Sequence, residues 1–211
     1  MTSTPFAISR GRLDALTDGI FAIAMTILVL ELHAPDLGPG AGLPAFREAL
    51  AHQWPSLLGY VASFSLLGLF WYQHHWLTHG LARVDAPFFA ANLLFLLMVG
   101  SFPFTLSLVL HLHSAGDGGL AVLPYLICLG FLLLALGAMA LLALGRGLLD
   151  PRTPTIELKR RGLTWAATGL ALMGMSTLGG RMGRALPILA LPFLARLAHR
   201  RWHTRKAKAS A

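Results

Sequence analysis

The histidines are the residues whose spacing most resembles a reactive site. His75 and His79 lie four residues apart, so a helix would present both on one face, as zinc ligands often are. Two ligands do not complete a zinc site, and no cysteine or carboxylate stands nearby at a suitable spacing. Hydrogen bonding between helices is therefore favoured over metal binding. The sequence leaves open whether these histidines make the protein sensitive to pH near neutrality.

Motifs for covalent or phosphate chemistry are absent from the sequence. There is no Gly-x-Ser-x-Gly nucleophile turn, no glycine loop that would cradle phosphate, and no recognisable pair of intramembrane carboxylates facing a serine or histidine. Cys128 is the only cysteine and has no disulfide partner within the chain. We therefore predict that the protein is not an enzyme, and the sequence names no cofactor and no metal.

The composition identifies the environment in which the elements must fold. Of 211 residues, 55% are hydrophobic and 12% are charged, against about 25% charged in an average soluble domain. So few charges cannot cover a core of this apolar content, and the excess apolar surface must face lipid. We expect an all-α integral membrane protein.

Long stretches between charges define six candidate transmembrane helices, because a bilayer core needs about 20 apolar residues. They lie within residues 19–30, 49–83, 86–116, 118–145, 162–180 and 185–195, with a connecting link over 34–47. We predict a single six-helix transmembrane channel domain over residues 1–200 and a basic cytoplasmic tail over 201–211. No internal repeat or separate soluble domain is visible.

The basic residues predict the orientation in the membrane. With both termini in the cytoplasm, 14 lysines and arginines lie inside and only Arg47, Arg181 and Arg184 lie outside. The sequence thus predicts a multi-pass protein of the cell inner (plasma) membrane. Six of the basic residues follow residue 195, which favours contact of the tail with anionic lipid rather than with nucleic acid.

The first predicted helix carries charges into the membrane region. Its apolar run, 19–30, covers about 18 Å, whereas the hydrocarbon layer is about 30 Å thick. A helix that crosses would extend from about Arg12 to His33 and would take Asp14 and Asp18 towards the bilayer, where both should face protein or water. The same two acids argue against a cleaved signal peptide.

One stripe of this helix is aliphatic, with Thr26 beside it. The stripe consists of Ile20, Ile23, Ile27 and Leu30. By itself, such a stripe is compatible with a packing seam or with a pore wall. The spacing does not choose between the two.

The run from Arg12 to Leu32 resembles the signature of the transmembrane protein 175 potassium channel family. In that family an arginine is followed by Phe-Ser-Asp-Gly, a Phe-Ala-Ile-Ala type helix and Leu-Glu-Leu. This chain has Leu16-Thr17-Asp18 in place of Phe-Ser-Asp, which keeps the hydroxyl and the carboxylate but loses the aromatic ring. Later likenesses are Trp71 with His74-His75, and Asn92 followed by Phe102-Pro103-Phe104-Thr105.

The resemblance implies six transmembrane helices per subunit and a homotetramer around a central pore lined by helix 1. It implies rings of large side chains at Ile23, Ile27 and Leu30 as the constriction, in place of a carbonyl filter. It assigns ion selectivity to Thr26, with K⁺ as the permeant ion. It also implies a structural polar cluster, to which Arg12, Thr17, Asp18, His74, His75 and Asn92 correspond.

The predicted function is a potassium-selective or potassium-preferring leak channel. Two alternatives from other classes remain open at this point. One is a proton-coupled or ion-coupled carrier that uses Asp18 and the histidines. The other is a membrane assembly protein that does not conduct.

Overall fold

The structure, a computed structural model, is all-helical in its main elements and describes residues 8–35, 37–114 and 118–178, with side chains described except at 113–121 and 177–178. The helices are α1 (Arg10–Ile27), α2 (Leu43–His52), α3 (Trp54–His79), α4 (Ala86–Ser114), α5 (Gly118–Gly145) and α6 (Thr155–Leu178). A single 3₁₀ turn, Leu28–Glu31, prolongs α1. The prediction of an all-α fold is confirmed.

Four helices in the described ranges are long and apolar enough to cross a membrane. They are α1 with its 3₁₀ turn, α3, α4 and α5. The fifth predicted span falls on α6, which begins before the apolar window and therefore includes Lys159, Arg160 and Arg161 in its first two turns. The sixth predicted span, 185–195, and the basic tail, 201–211, lie outside the described residues.

The segment after α1 differs from the sequence prediction. A link was expected over 34–47 and a helical window from residue 49, but a separate helix, α2, crosses that boundary. Pro44 lies in its first turn, and Gln53 separates it from α3, whose first turn contains Pro55. In a continuous helix the Pro55 ring would clash with the carbonyl of residue 51, so the helix restarts there.

The core is formed by α4 and its neighbours. Phe88, Phe95 and Phe102 are spaced seven residues apart on α4 and are fully buried, together with Leu132 and Leu136 of α5. α1 packs against α3 and α4, whereas α4, α5 and α6 pack in sequence. The core therefore supports one side of α1 only.

The loops at one end of the bundle are hydrogen-bonded to each other. The Ala82 amide donates to the Leu148 carbonyl over 2.9 Å, and the Asp150 amide donates to the Gly80 carbonyl over 2.9 Å. The Arg10 guanidinium donates to the His79 carbonyl over 3.1 Å. The start of α1, the α3–α4 loop and the α5–α6 loop consequently share one end of the molecule.

Asp85 connects the two loops at this end. Its carboxylate accepts hydrogen bonds from the Arg146 guanidinium and from the Phe88 amide, the latter over 3.0 Å. Partial burial would raise the pKa of Asp85, but these hydrogen bonds outweigh it and lower the pKa below its usual value. The charged form of Asp85 is therefore stabilised by the folded structure.

Candidate functional site

α1 has one buried face that fixes its orientation. Its buried residues are Leu13, Thr17, Phe21 and Ala24, and Leu28 in the 3₁₀ turn continues the face. They recur every three or four residues, which is the spacing of one helical face. This face lies against α3 and α4, so the opposite face must point away from the protomer.

The aliphatic side chains predicted to form a constriction lie on the exposed side of α1. Ile23 is 59% exposed, Leu30 is 69% exposed, and Ile27 is 41% exposed. Thr26 is also exposed. Ile23 and Leu30 consequently do not form a packing seam within the described part of the protomer.

The hydroxyl of Thr26 has defined acceptor partners. It donates to the backbone of its own helix, with the Ala22 carbonyl at 2.9 Å and the Ile23 carbonyl at 2.8 Å. Because its single proton is used in this way, the oxygen keeps lone pairs that point away from the helix. The exposed face of α1 therefore offers one hydroxyl acceptor between aliphatic neighbours.

The predicted polar cluster divides into a buried group and a surface group. In the buried group, His74 Nε2 lies 2.6 Å from Asn92 Oδ1, and the His74 ring stacks on Phe95 with centroids 5.2 Å apart. Asn92 Nδ2 and the Thr17 hydroxyl are also buried and have no hydrogen-bond partner among the described residues. The contact between His74 and Asn92 therefore connects α3 and α4 deep in the bundle.

The surface group is organised by Trp71. Its indole Nε1 donates to Asp18 Oδ1 over 2.7 Å, and its ring stacks on His75 with centroids 5.5 Å apart. His79 meets the edge of His75 at 6.2 Å. The structure therefore separates His75 from the buried His74, although the two are adjacent in sequence.

The partner of Asp18 differs from the sequence expectations. The predicted polar cluster sets Asp18 beside Arg12, the two histidines and Asn92, and it does not include Trp71. Instead, Trp71 supplies the hydrogen bond, whereas Arg12 is exposed and forms no side-chain hydrogen bond with a described residue. The signal available in the sequence is the indole N–H, a donor that takes an acceptor where the ring packs against a neighbouring helix.

The histidine pair does not extend into a larger ligand set. Within the described ranges, no group of three or more His, Cys, Asp or Glu side chains is arranged to hold a metal ion. His75 and His79 contact aromatic rings instead.

The long apolar helices describe a multi-pass helical membrane protein, and part of the chain is similar to known ion channels. Residues 12–103 match the family described as the endosomal/lysosomal potassium channel TMEM175. The resemblance predicted from the sequence is confirmed over these residues, which are similar to the TMEM175 family. The family consists of ion channels rather than enzymes, in agreement with the prediction.

Individual relatives agree with this family. A potassium channel of Streptomyces collinus is 43% identical over 94 residues, 44% of each chain. A potassium channel of Chamaesiphon minutus is 37% identical over 111 residues, 52% of this chain and 53% of the relative. The match thus spans about half the length of these relatives.

A solved structure extends the likeness in fold. The crystal structure of a lysosomal potassium-selective channel TMEM175 homolog from Chamaesiphon minutus superposes with a TM-score of 0.73. It covers 88% of this chain and 96% of that chain at 24% identity. The two chains therefore share a fold well beyond the region of clear sequence similarity.

Proposed function

We propose that this chain is one subunit of a potassium-selective or potassium-preferring leak channel, with the first helix of each subunit lining a shared pore. The observation that carries the proposal is the exposed stripe on α1, which is held outward by the burial of the opposite face. The relatives named as potassium channels support the same activity.

Ile23, Ile27 and Leu30 form the constriction in this proposal. Rings of such side chains around an axis would make a narrow apolar neck, from which water and ions withdraw when the neck tightens. Ile23 is assigned to the narrowest ring. The 3₁₀ turn places Leu30 towards the other end of the stripe.

Thr26 supplies the polar contact for the ion. Its oxygen is free to accept because its proton is used by the backbone, and an acceptor replaces part of the hydration shell of K⁺. One hydroxyl ring is a cruder filter than stacked carbonyls, so we expect weak selectivity.

The pore requires several copies, because one chain contributes only one such stripe. The family resemblance supports a homotetramer. An open pocket of about 260 Å³ beside Asp18, lined by Phe21, Ala22, Met25 and Trp71, leaves apolar surface next to the stripe for a neighbouring subunit.

The location proposed is the inner membrane, with the end that holds the start of α1 facing the cytoplasm. Arg10, Arg83 and Arg146 lie at that end, as the positive-inside rule requires. We also propose that both termini lie in the cytoplasm and that the basic tail contacts anionic lipid.

Bilayer recordings test the two pore assignments. Thr26→Val should reduce the preference for K⁺ over Na⁺, whereas Thr26→Ser, which keeps the hydroxyl, should retain it. Ile23→Asn should raise conductance because a polar ring wets the constriction. An unchanged ion preference in Thr26→Val together with unchanged conductance in Ile23→Asn would refute the assignment.

Flux into proteoliposomes separates the channel from its alternatives. A channel passes K⁺ passively in proportion to the driving force, whereas a carrier saturates and follows a proton gradient. An assembly protein produces no flux. The carrier alternative would use Asp18 and the histidines, of which His75 lies against the same indole that binds Asp18.

A further inference from the structure

Two cations at the start of α6 have no partner among the described residues. Lys159 and Arg160 are exposed and form no described ion pair or side-chain hydrogen bond. The next residue, Arg161, differs: it pairs with Glu157, and its guanidinium lies 4.0 Å from the centre of the Trp76 ring. Arg161 is therefore bound by contacts within the protein, whereas the side chains of Lys159 and Arg160 are available to a ligand.

The same face of α6 is apolar on both sides of these cations. Leu163 and Leu170 are 51% and 62% exposed, and their positions lie on the helical face that Lys159 and Arg160 flank. Ile156, one turn before the cations, is 86% exposed. An apolar stripe interrupted by two free cations fits an amphiphile that has an anionic group.

The position of α6 along the bundle places the cations at a membrane surface. Its start is held at the hydrogen-bonded end by Thr153, whose hydroxyl donates to the Gly80 carbonyl over 2.9 Å. Arg160 lies about 8 Å into the helix, and the uncharged remainder, 162–178, extends for about 24 Å. If α6 enters the bilayer from this end, the two cations reach the phosphate level and the leucines reach the acyl chains.

We propose that this face of α6 is a binding site for an anionic phospholipid. The lipid phosphate sits between Lys159 and Arg160, and one acyl chain lies along Leu163 and Leu170. Charge complementarity identifies the occupant, since a zwitterionic lipid brings a positive group towards the same two cations. The site consists of residues of α6 alone and does not depend on ion conduction.

The test uses the full chain in phosphatidylcholine vesicles that contain traces of pyrene-labelled phosphatidylglycerol or pyrene-labelled phosphatidylcholine. Energy transfer from tryptophan reports which lipid occupies the protein surface, and Trp165 lies on α6 itself. Wild type should prefer the anionic lipid. Arg160→Gln should reduce that preference about five-fold, and the double variant Lys159→Gln/Arg160→Gln about 25-fold.

Two controls make the result specific. Arg152→Gln removes an equal charge from the exposed turn before α6 and should change the preference less than two-fold, and Lys159→Arg/Arg160→Lys should retain it. Equal transfer to both lipids in wild type, or an unchanged preference in the double variant, would overturn the proposal. So would loss of the preference in Arg200→Gln/Arg201→Gln alone, because the basic tail would then be the binding element.

Discussion

At the scale of residues, the buried and the surface polar groups of α1, α3 and α4 form different contacts. The buried contact between His74 and Asn92 is sealed by an aromatic ring, whereas Asp18 and Trp71 meet at the surface of the same helices. A charge-assisted hydrogen bond of this kind stabilises a fold by about 1.5–3 kcal/mol. The hydrogen bond between Asp18 and Trp71 therefore fixes the orientation of α1 against α3. It thereby also fixes the direction in which the aliphatic stripe of α1 points.

Trp71→Phe should lower the free energy of unfolding by about 1.5–3 kcal/mol, because the carboxylate loses its indole donor while the aromatic ring remains. Thermal unfolding of the purified protein measures this. Trp54→Phe is the matched control, since Trp54 is 58% exposed and forms no described hydrogen bond. Equal stability of the two variants would show that the Asp18 contact does not support the fold.

Asp18→Ala should lower expression or assembly before it changes permeation. In a double-mutant cycle with Trp71→Phe, the two effects should not add, because both substitutions remove the same hydrogen bond. Additive losses would contradict the pairing. A well-folded Asp18→Ala channel with altered ion selectivity would instead place this carboxylate in the ion path.

At the scale of elements, α5 and α6 approach closely because glycines replace side chains at their contact. A Cβ built at Gly169 would lie 2.6 Å from the Gly130 carbonyl oxygen, and one at Gly137 would lie 2.8 Å from the Gly162 carbonyl oxygen. The obstructing atoms are backbone, so a side chain there can be accepted only if the helices separate.

Gly169→Ala should therefore lower stability by about 1–3 kcal/mol, the usual range for overpacking. Gly100→Ala provides the control, because an added Cβ at that exposed position on α4 meets nothing within 4 Å. The comparison is made by thermal unfolding in one detergent. If Gly169→Ala is as stable as Gly100→Ala, α5 and α6 are farther apart in the protein than their glycine contacts indicate.

The loops that join these elements should respond to acid through Asp85. Its pKa is lowered in the folded protein, so its charge stabilises the fold at neutral pH, and that contribution declines as pH falls below the ordinary value of 3.8. Asp85→Asn keeps an acceptor for the Phe88 amide but removes the charge. Because both partners are partly exposed, the loss should be about 0.2–1 kcal/mol at pH 7.

Thermal unfolding of wild type and Asp85→Asn between pH 7 and pH 3 measures this contribution. The difference between the two proteins should shrink as pH falls through the folded pKa of Asp85. A difference that stays constant across this range would mean that the Arg146 contact does not contribute through charge.

At the scale of the whole molecule, the lengths of the uncharged stretches predicted the long helices, and helical periodicity predicted the aliphatic stripe of α1. Periodicity does not determine how helices cross, and for that reason Trp71 could not be matched to Asp18, 53 residues away. The short helix α2 was missed because glycines and prolines dominate the segment before it. The helix also buries none of its residues, so its sequence lacks the spaced apolar residues of a core-facing helix.

Silver block of an introduced cysteine shows directly whether Ile23 faces a conducting pore. Ile23→Cys is made in a Cys128→Ser background, since Cys128 is the only native cysteine, and bilayer currents are recorded while Ag⁺ is added. Leu97→Cys, at a position on α4 that is 60% exposed, is the control. Ag⁺ should block Ile23→Cys and leave Leu97→Cys conducting; undiminished current through Ile23→Cys would contradict a pore lined by α1.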